Sequence, residues 1–170
     1  MALSVREMTL EETEIVIDYF HTSSVEHLDM MGVDPSRLFP RPVWRQRYAD
    51  AYALPRAERT LMCVLWLEDE TPIGFSTTDL VSFGEQARMH LHVLEPERRN
   101  SGLGVQCVRR SVDVYFETLK LKRLICEPNA FNMPPNRTVQ AAGFRYVKTY
   151  MTVPGPLNYH QPVTRWIIER

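Results

Sequence analysis

The stretch from Gln86 to Leu119 constrains the fold more than any other. From Gln86 to Leu94 polar and apolar residues alternate, so Met89, Leu91 and Val93 share one face and Arg88, His90 and His92 the other. That two-residue period belongs to a strand with one polar face. After a turn from Glu95 to Ser101, Val105, Val108, Val112, Tyr115, Phe116 and Leu119 recur every three or four residues, as one buried helix face requires. A strand feeding a long amphipathic helix through a glycine-bearing loop must bury both apolar faces against further layers. Together with the elements around it, this argues for a mixed α/β domain rather than a bundle or a sandwich.

The flanking segments supply those layers. Leu3 to Met8 reads as a short strand, and Thr9 and Glu12 have the spacing of a capping box ahead of Ile15, Val16, Tyr19 and Phe20. Ser24 to Gly32 and Pro42 to Leu54 read as helices, the second with Val43, Trp44, Tyr48, Ala51 and Tyr52 at helical spacing. The nearly continuous apolar run from Thr60 to Leu67 and the segment Ile73 to Leu80 are expected as central strands of a hairpin across the charged turn Glu68 to Pro72. Leu124 to Cys126 reads as a short strand. Pro134 and Pro135 then introduce a helix that Gly143 ends as its C′ residue. Phe144 to Val153 and Val163 to Ile168 close the sheet on either side of the loop Pro154 to Pro162. The expected fold is one α/β domain over residues 1–170, a central mixed sheet flanked by helices.

Composition removes several classes of function. With 20 Lys and Arg against 21 Asp and Glu the formal charge is −1, so no overall basic field exists to hold nucleic acid. The longest apolar run, Leu61 to Leu67, is far shorter than the roughly 18 residues of a spanning helix, so no membrane partner is expected. Arg6, Glu7, Glu11 and Glu12 interrupt any leader-like segment, and a cytoplasmic location is the expectation. Cys63, Cys107 and Cys126 are odd in number, have no CxxC spacing and sit in apolar stretches, as buried reduced thiols do.

The chemistry centres on the loop Arg99-Asn100-Ser101-Gly102-Leu103-Gly104 between the polar-faced strand and the helix. Its glycines allow close backbone approach, and the N–H groups of the loop and first helical turn converge on one point, which favours a pyrophosphate. Arg98 and Arg99 add charge-assisted donors. Cys107 stands at the third glycine position of a dinucleotide fingerprint and no GxxxxGK[ST] occurs, so dinucleotides and P-loop nucleotides are disfavoured.

In this loop the chain resembles the GNAT superfamily of acyl-CoA-dependent N-acetyltransferases, whose signature [QR]xxGx[GA] is matched by Arg99, Gly102 and Gly104. The approach Pro96-Glu97-Arg98-Arg99 is similar to the family's, and Asn132 lies eleven positions before the Gly143-Phe144 pair, as in the family's Asn…GlyPhe element. The segment Cys126 to Ala130, followed by Asn132, resembles most the branch of ribosomal-protein N-terminal acetyltransferases. The resemblance implies acetyl-CoA as co-substrate, with its pyrophosphate on Arg99, Asn100, Ser101, Gly102, Leu103 and Gly104. Its pantetheine arm would run between the strands ending near Leu94 and Cys126, beside Asn132. It implies an acceptor that is an amine-bearing small molecule or a protein N-terminus, and a homodimer in some members. The chain departs from the family at the acid that protonates the leaving thiolate: Val139 and Pro135 occupy the customary tyrosine and serine positions.

Acyl transfer to an amine needs a base, because an amine of pKa near 10.4 is almost wholly protonated at pH 7. His90 and His92, on the polar face of the strand, are the leading candidates, His90 first by its offset from Arg99. Glu127 could act as base or hold the substrate ammonium, and Tyr150 or Tyr159 could supply the missing acid. Ser101 reads as a pyrophosphate donor, and Cys107 and Cys126 as core. No third ligand lies near the two histidines, so no metal is expected. The expected activity is acetyl transfer from acetyl-CoA to a primary amine by direct attack, with backbone N–H groups near Leu94 polarising the carbonyl. The alternative is a non-catalytic acyl-CoA-binding regulatory domain, suggested by the missing acid.

Overall fold

The structure, a computed structural model, describes residues 1–98 and 102–170. The strands are β1 (Leu3–Glu7), β2 (Met62–Glu68), β3 (Thr71–Ser82), β4 (Gln86–Val93), β5 (Arg123–Cys126), β6 (Arg145–Thr152) and β7 (Gln161–Glu169). The α-helices are α1 (Glu14–Thr22), α2 (Val25–Met30), α3 (Arg41–Ala53), α4 (Leu103–Leu119) and α5 (Met133–Ala141). The strands form one sheet in the order β1-β2-β3-β4-β5-β7-β6. Every neighbouring pair is antiparallel except β4 and β5, which the crossover helix α4 joins in parallel.

The sheet has a core on each face. Met62, Val64, Trp66, Ala87 and Met89 pack with Val108, Val112, Tyr115 and Leu119 of α4 and Val139 of α5. On the opposite face Cys63, Leu65, Leu67 and Phe75 pack with Val16, Ile17, Phe20, Trp44 and Tyr48 of α1 and α3. Because β2 is buried on both faces, its sequence is an unbroken apolar run instead of an alternating one. Polar groups inside this layer are paired: Trp66 Nε1 donates to Ser111 Oγ at 2.8 Å and Tyr115 Oη to Ser76 Oγ at 3.0 Å.

Local signals act where they were expected. The Thr9 backbone N–H donates to Glu12 Oε2 at 2.8 Å while the Glu12 N–H donates to Thr9 Oγ1 at 3.2 Å, a complete capping box. The chain passes through a 3-10 turn, Glu11–Thr13, before α1 begins, so the helix proper starts later than the box alone predicts. Gly143, at φ +107°, ends α5: its N–H donates to the Gln140 carbonyl at 3.1 Å and that of Phe144 to the Val139 carbonyl at 3.1 Å. These are the two bonds of a Schellman motif, and Phe144 and Val139 share the core beneath it. Two strands run longer than their periodicity suggested, β3 to Ser82 and β7 from Gln161. In each case antiparallel pairing carries polar and proline residues along with the apolar ones.

The position of the site follows from the single parallel pair. β4 and β5 stay in register from Gln86↔Arg123 to Met89↔Cys126. β4 then continues beside β3 to Val93, while the chain beyond Cys126 turns toward β7 and bridges it at Asn129↔Val163. The sheet therefore opens between the ends of β4 and β5. Among the described residues no helix is long and apolar enough to cross a membrane.

Candidate active site

The opening leads into a cavity of about 460 Å³ bounded by β4, the segment after β5, the start of α4 and α5, and α1 and α2. A volume of this size suits a small-molecule ligand, and the cavity reaches both faces of the sheet.

On the α4–α5 side the wall includes Gly102, Gly104, Val105, Asn132 and Thr138. Gly102 caps α4 at φ +81°, a left-handed conformation that suits glycine, and a Cβ there would meet no atom within 4 Å. The space beside Gly102 is thus open on the side a Cβ would take. Asn132 precedes α5 and its carbonyl accepts from Asn136 Nδ2 at 2.8 Å, which fixes the loop while the Asn132 side chain caps no helix N–H. Leu103 turns toward Trp66, Ile73 and Cys107 rather than to the main cavity. Arg99, Asn100 and Ser101 lie outside the described residues.

One sequence expectation on this side is corrected. The Leu94 N–H donates to the Ile73 carbonyl at 3.0 Å, so it belongs to the β3–β4 ladder and not to the opening. Because successive residues of a strand direct their backbone groups to opposite edges, Leu91 and Val93 are the ones that face the split. Arg98 lines the cavity, yet its Nε donates to Glu95 at 2.7 Å and its Nη1 to Glu68. The sequence offered Arg98 as a phosphate donor; in the structure its guanidinium also anchors the turn to β2.

On the α1–α3 side, His90 lines the cavity with Nε2 placed 3.2 Å from Asp79 Oδ1. Arg88 holds the same carboxylate in a fork, Nε to Oδ1 at 2.8 Å and Nη2 to Oδ2 at 2.6 Å. Burial works against the charge on Asp79, but the bonds from Arg88 and His90 outweigh it and hold the carboxyl well below its usual range. An ionised carboxylate only accepts, so His90 donates from Nε2 and, when neutral, keeps its lone pair on Nδ1. His92 lines the cavity as well, but its ring lies 4.9 Å from those of Tyr19 and Phe75 and 5.2 Å from Phe20, against the aromatic core.

Glu127 stands across the split from His90. Its side chain is only 4% exposed and accepts from Arg165 Nε at 3.2 Å, from Arg165 Nη2 at 3.5 Å and from Tyr150 Oη. Burial, together with the Glu127 carboxylate, pushes the Tyr150 phenol up. Tyr159 donates instead to the Asp29 carbonyl at 2.9 Å, away from the split. Val139 is fully buried in the core, and Pro135 lines the cavity without a donor. Cys126 and Cys107 are buried thiols that desolvation pushes up to about 12, so neither carries appreciable thiolate at neutral pH.

The loop Pro154 to Pro162, which the sequence offers as one wall of the acceptor cleft, does line the cavity, and what sequence reasoning missed is how this roof is fastened. The end of α2 and the β6–β7 loop are fastened together around Gly32, whose carbonyl accepts from Gln161 Nε2 at 2.8 Å and Asn158 Nδ2 at 2.9 Å. Gln161 is 1% exposed and accepts from Asn129 Nδ2 at 2.9 Å, and Asn136 continues the chain to the Asn129 carbonyl at 3.0 Å and to Trp166 Nε1 at 2.9 Å. Tyr19, His27, Met30 and Met31 complete the wall beneath this roof. The contacts join residues more than 100 positions apart, and no local pattern announces them.

The acetyltransferase (GNAT) family model matches residues 25–144. No curated protein matches the sequence. Solved structures share the fold at low identity. Aminoglycoside acetyltransferase AAC(6')-Ib in complex with coenzyme A and kanamycin is 14% identical, with a TM-score of 0.74 over 99% of this chain and 95% of that one. Spermidine N-acetyltransferase from Vibrio cholerae, with CoA and spermine, is 13% identical, with a TM-score of 0.76 over 98% and 95%. RimL, a ribosomal L7/L12 alpha-N-protein acetyltransferase in complex with CoA, is 12% identical, with a TM-score of 0.76 over 99% and 94%. The match over most of the chain, on a sheet that splits beside a glycine-capped helix, places this protein in the acetyltransferase (GNAT) family, as an enzyme whose co-substrate is acetyl-CoA.

Proposed function

We propose that the chain transfers an acetyl group from acetyl-CoA to a primary amine by direct attack, with His90 as the base. The observation that carries this reading is the array Arg88–Asp79–His90, which holds an imidazole at the wall of the split. Gly102, Gly104 and the Arg99–Ser101 loop hold the pyrophosphate, and Asn132 borders the pantetheine arm. The backbone of Leu91 faces the thioester and supplies the donor for the developing oxyanion, the role the sequence assigned near Leu94.

In this scheme the acceptor enters from the α1–α3 side, with Glu127 on the far lip as its second polar contact. His90 Nδ1 takes one proton from the ammonium, the neutral nitrogen attacks the thioester carbon, and the tetrahedral intermediate breaks its C–S bond to expel the CoA thiolate while the nitrogen gives its second proton to water. A thiol of pKa near 8.5 leaves readily, so protonation by water suffices and the apolar residues at positions 135 and 139 are compatible with turnover. Neither thiolate-poor cysteine supports an acyl-enzyme route.

His90→Ala tests the scheme. It lowers kcat by about a hundredfold at neutral pH, the usual range for a positioned base, and leaves the affinity for acetyl-CoA as it was. A variant within about threefold of wild type removes His90 from the chemistry.

A further inference from the structure

The walls on the α1–α3 side also bear on which amine is accepted. We infer that the acceptor is an amine with an apolar body and no second positive charge, an inference that rests on the acetyl-transfer reading above. Tyr19, Met30, Met31 and Pro154 form the wall there, joined by His27 and Asn158. Unbranched thioether side chains adapt to apolar groups of varied shape.

The charges around this wall are already matched. Glu127 is the only carboxylate among the described residues that lines the cavity, and Arg165 and Tyr150 hold it. Asp79, on the same face, is engaged by Arg88 and His90. Lys148 lies 4.5 Å from the centre of the Tyr150 ring, so Arg88, Arg165 and Lys148 stand about these two carboxylates, while Asp29 of α2 is exposed and does not line the cavity. A polyamine or an aminoglycoside would bring further ammonium groups into this setting, and each would lose hydration without meeting an opposite charge. The shared fold with enzymes named for such acceptors therefore does not by itself carry their acceptors to this chain.

Three probes of one chain length isolate the effect: hexylamine, 1,6-diaminohexane and 6-aminohexanoate, each assayed with acetyl-CoA for CoA release. The expected result is a kcat/KM for hexylamine about tenfold or more above that for 1,6-diaminohexane, since only the distal ammonium differs. Equal or faster turnover of the diamine overturns the inference. So does 6-aminohexanoate as the best of the three, which would assign the wall to anion-bearing acceptors. Arg165→Gln, which unmasks the Glu127 charge, shifts the ratio toward the diamine by about fivefold or more, and an unchanged ratio overturns the part assigned to this ion pair. CoA release with none of the three also overturns the inference. CoA release with an unrelated amine then shows that only the acceptor class has failed, and its absence from a broad amine panel shows that acetyl transfer has failed with it.

Discussion

Gly32→Ala probes how strongly the roof of the cavity is fastened. Gly32 has φ +71°, and a Cβ built on it would lie 1.9 Å from Gln161 Oε1 and 2.3 Å from its Nε2. Placing an L side chain in the left-handed region costs about 1 kcal/mol. The clash then drives out the Gln161 amide, which donates to the Gly32 and Tyr159 carbonyls at 2.8 and 2.9 Å and accepts from Asn129. Leaving such buried groups unpaired costs about 2–3 kcal/mol more. Gly84→Ala is the matched control, because Gly84 has φ +80° but no atom within 4 Å of its Cβ position. The effect of alanine on the unfolded chain cancels between the two variants. Gly32→Ala is therefore expected to unfold about 2–3 kcal/mol less stable than Gly84→Ala, roughly 4–12 °C lower in Tm for a chain of this length. Thermal denaturation followed by circular dichroism reads the difference. Two variants within about 0.5 kcal/mol of each other would refute the account, since Gln161 would then move aside at no cost.

Two further variants test the cofactor side and the first helix. Gly102→Val places a branched side chain where the space beside that residue is open, and should lose most of the stabilisation, about 2.7 kcal/mol at 100 times the dissociation constant, that CoA gives the wild type in a thermal shift; a full upshift in the variant would move the cofactor elsewhere. Glu12, bonded first to Arg6 and then to the Thr9 N–H, has its carboxyl lowered to about 2. A depressed carboxyl stabilises the fold above its unfolded pKa, so the advantage of wild type over Glu12→Gln, about 1 kcal/mol at pH 7, should shrink as the pH falls from about 4.5 toward 2. An advantage that stays constant across that window would show that the charge of Glu12 is irrelevant.

The parts of the fold legible in the sequence are those whose causes are local. The Thr9–Glu12 box, the Gly143 stop and the amphipathic face of α4 each follow from residues within a few positions of one another. The alternation of β4 also separated His90 from Met89 correctly, placing the imidazole opposite the α4 core. Alternation does not tell which edge a backbone N–H faces, and that is why Leu94 was assigned to the opening although it bonds to Ile73. Nor does a run of arginines tell which is already engaged: Arg98 pairs with Glu68, thirty positions earlier, across a turn. The fastening of the roof was invisible for the same reason. Gln161 and Gly32 gain their roles only when β7 and α2 meet, and a buried glutamine has no sequence signature.

The divergence of β4 and β5 also separates two sets of heritable choices. One wall of the cavity comes from 102–105 and 132–141 and the other from 19–31 together with 154–161, with the strands between them in common. The two sets are joined where Gln161, Asn129 and Asn136 bond in series, so a substitution at one of these three is felt on both walls while the rest of each wall can vary by itself. A fold shared at 12–14% identity over nearly the whole chain shows how few residues such an architecture prescribes.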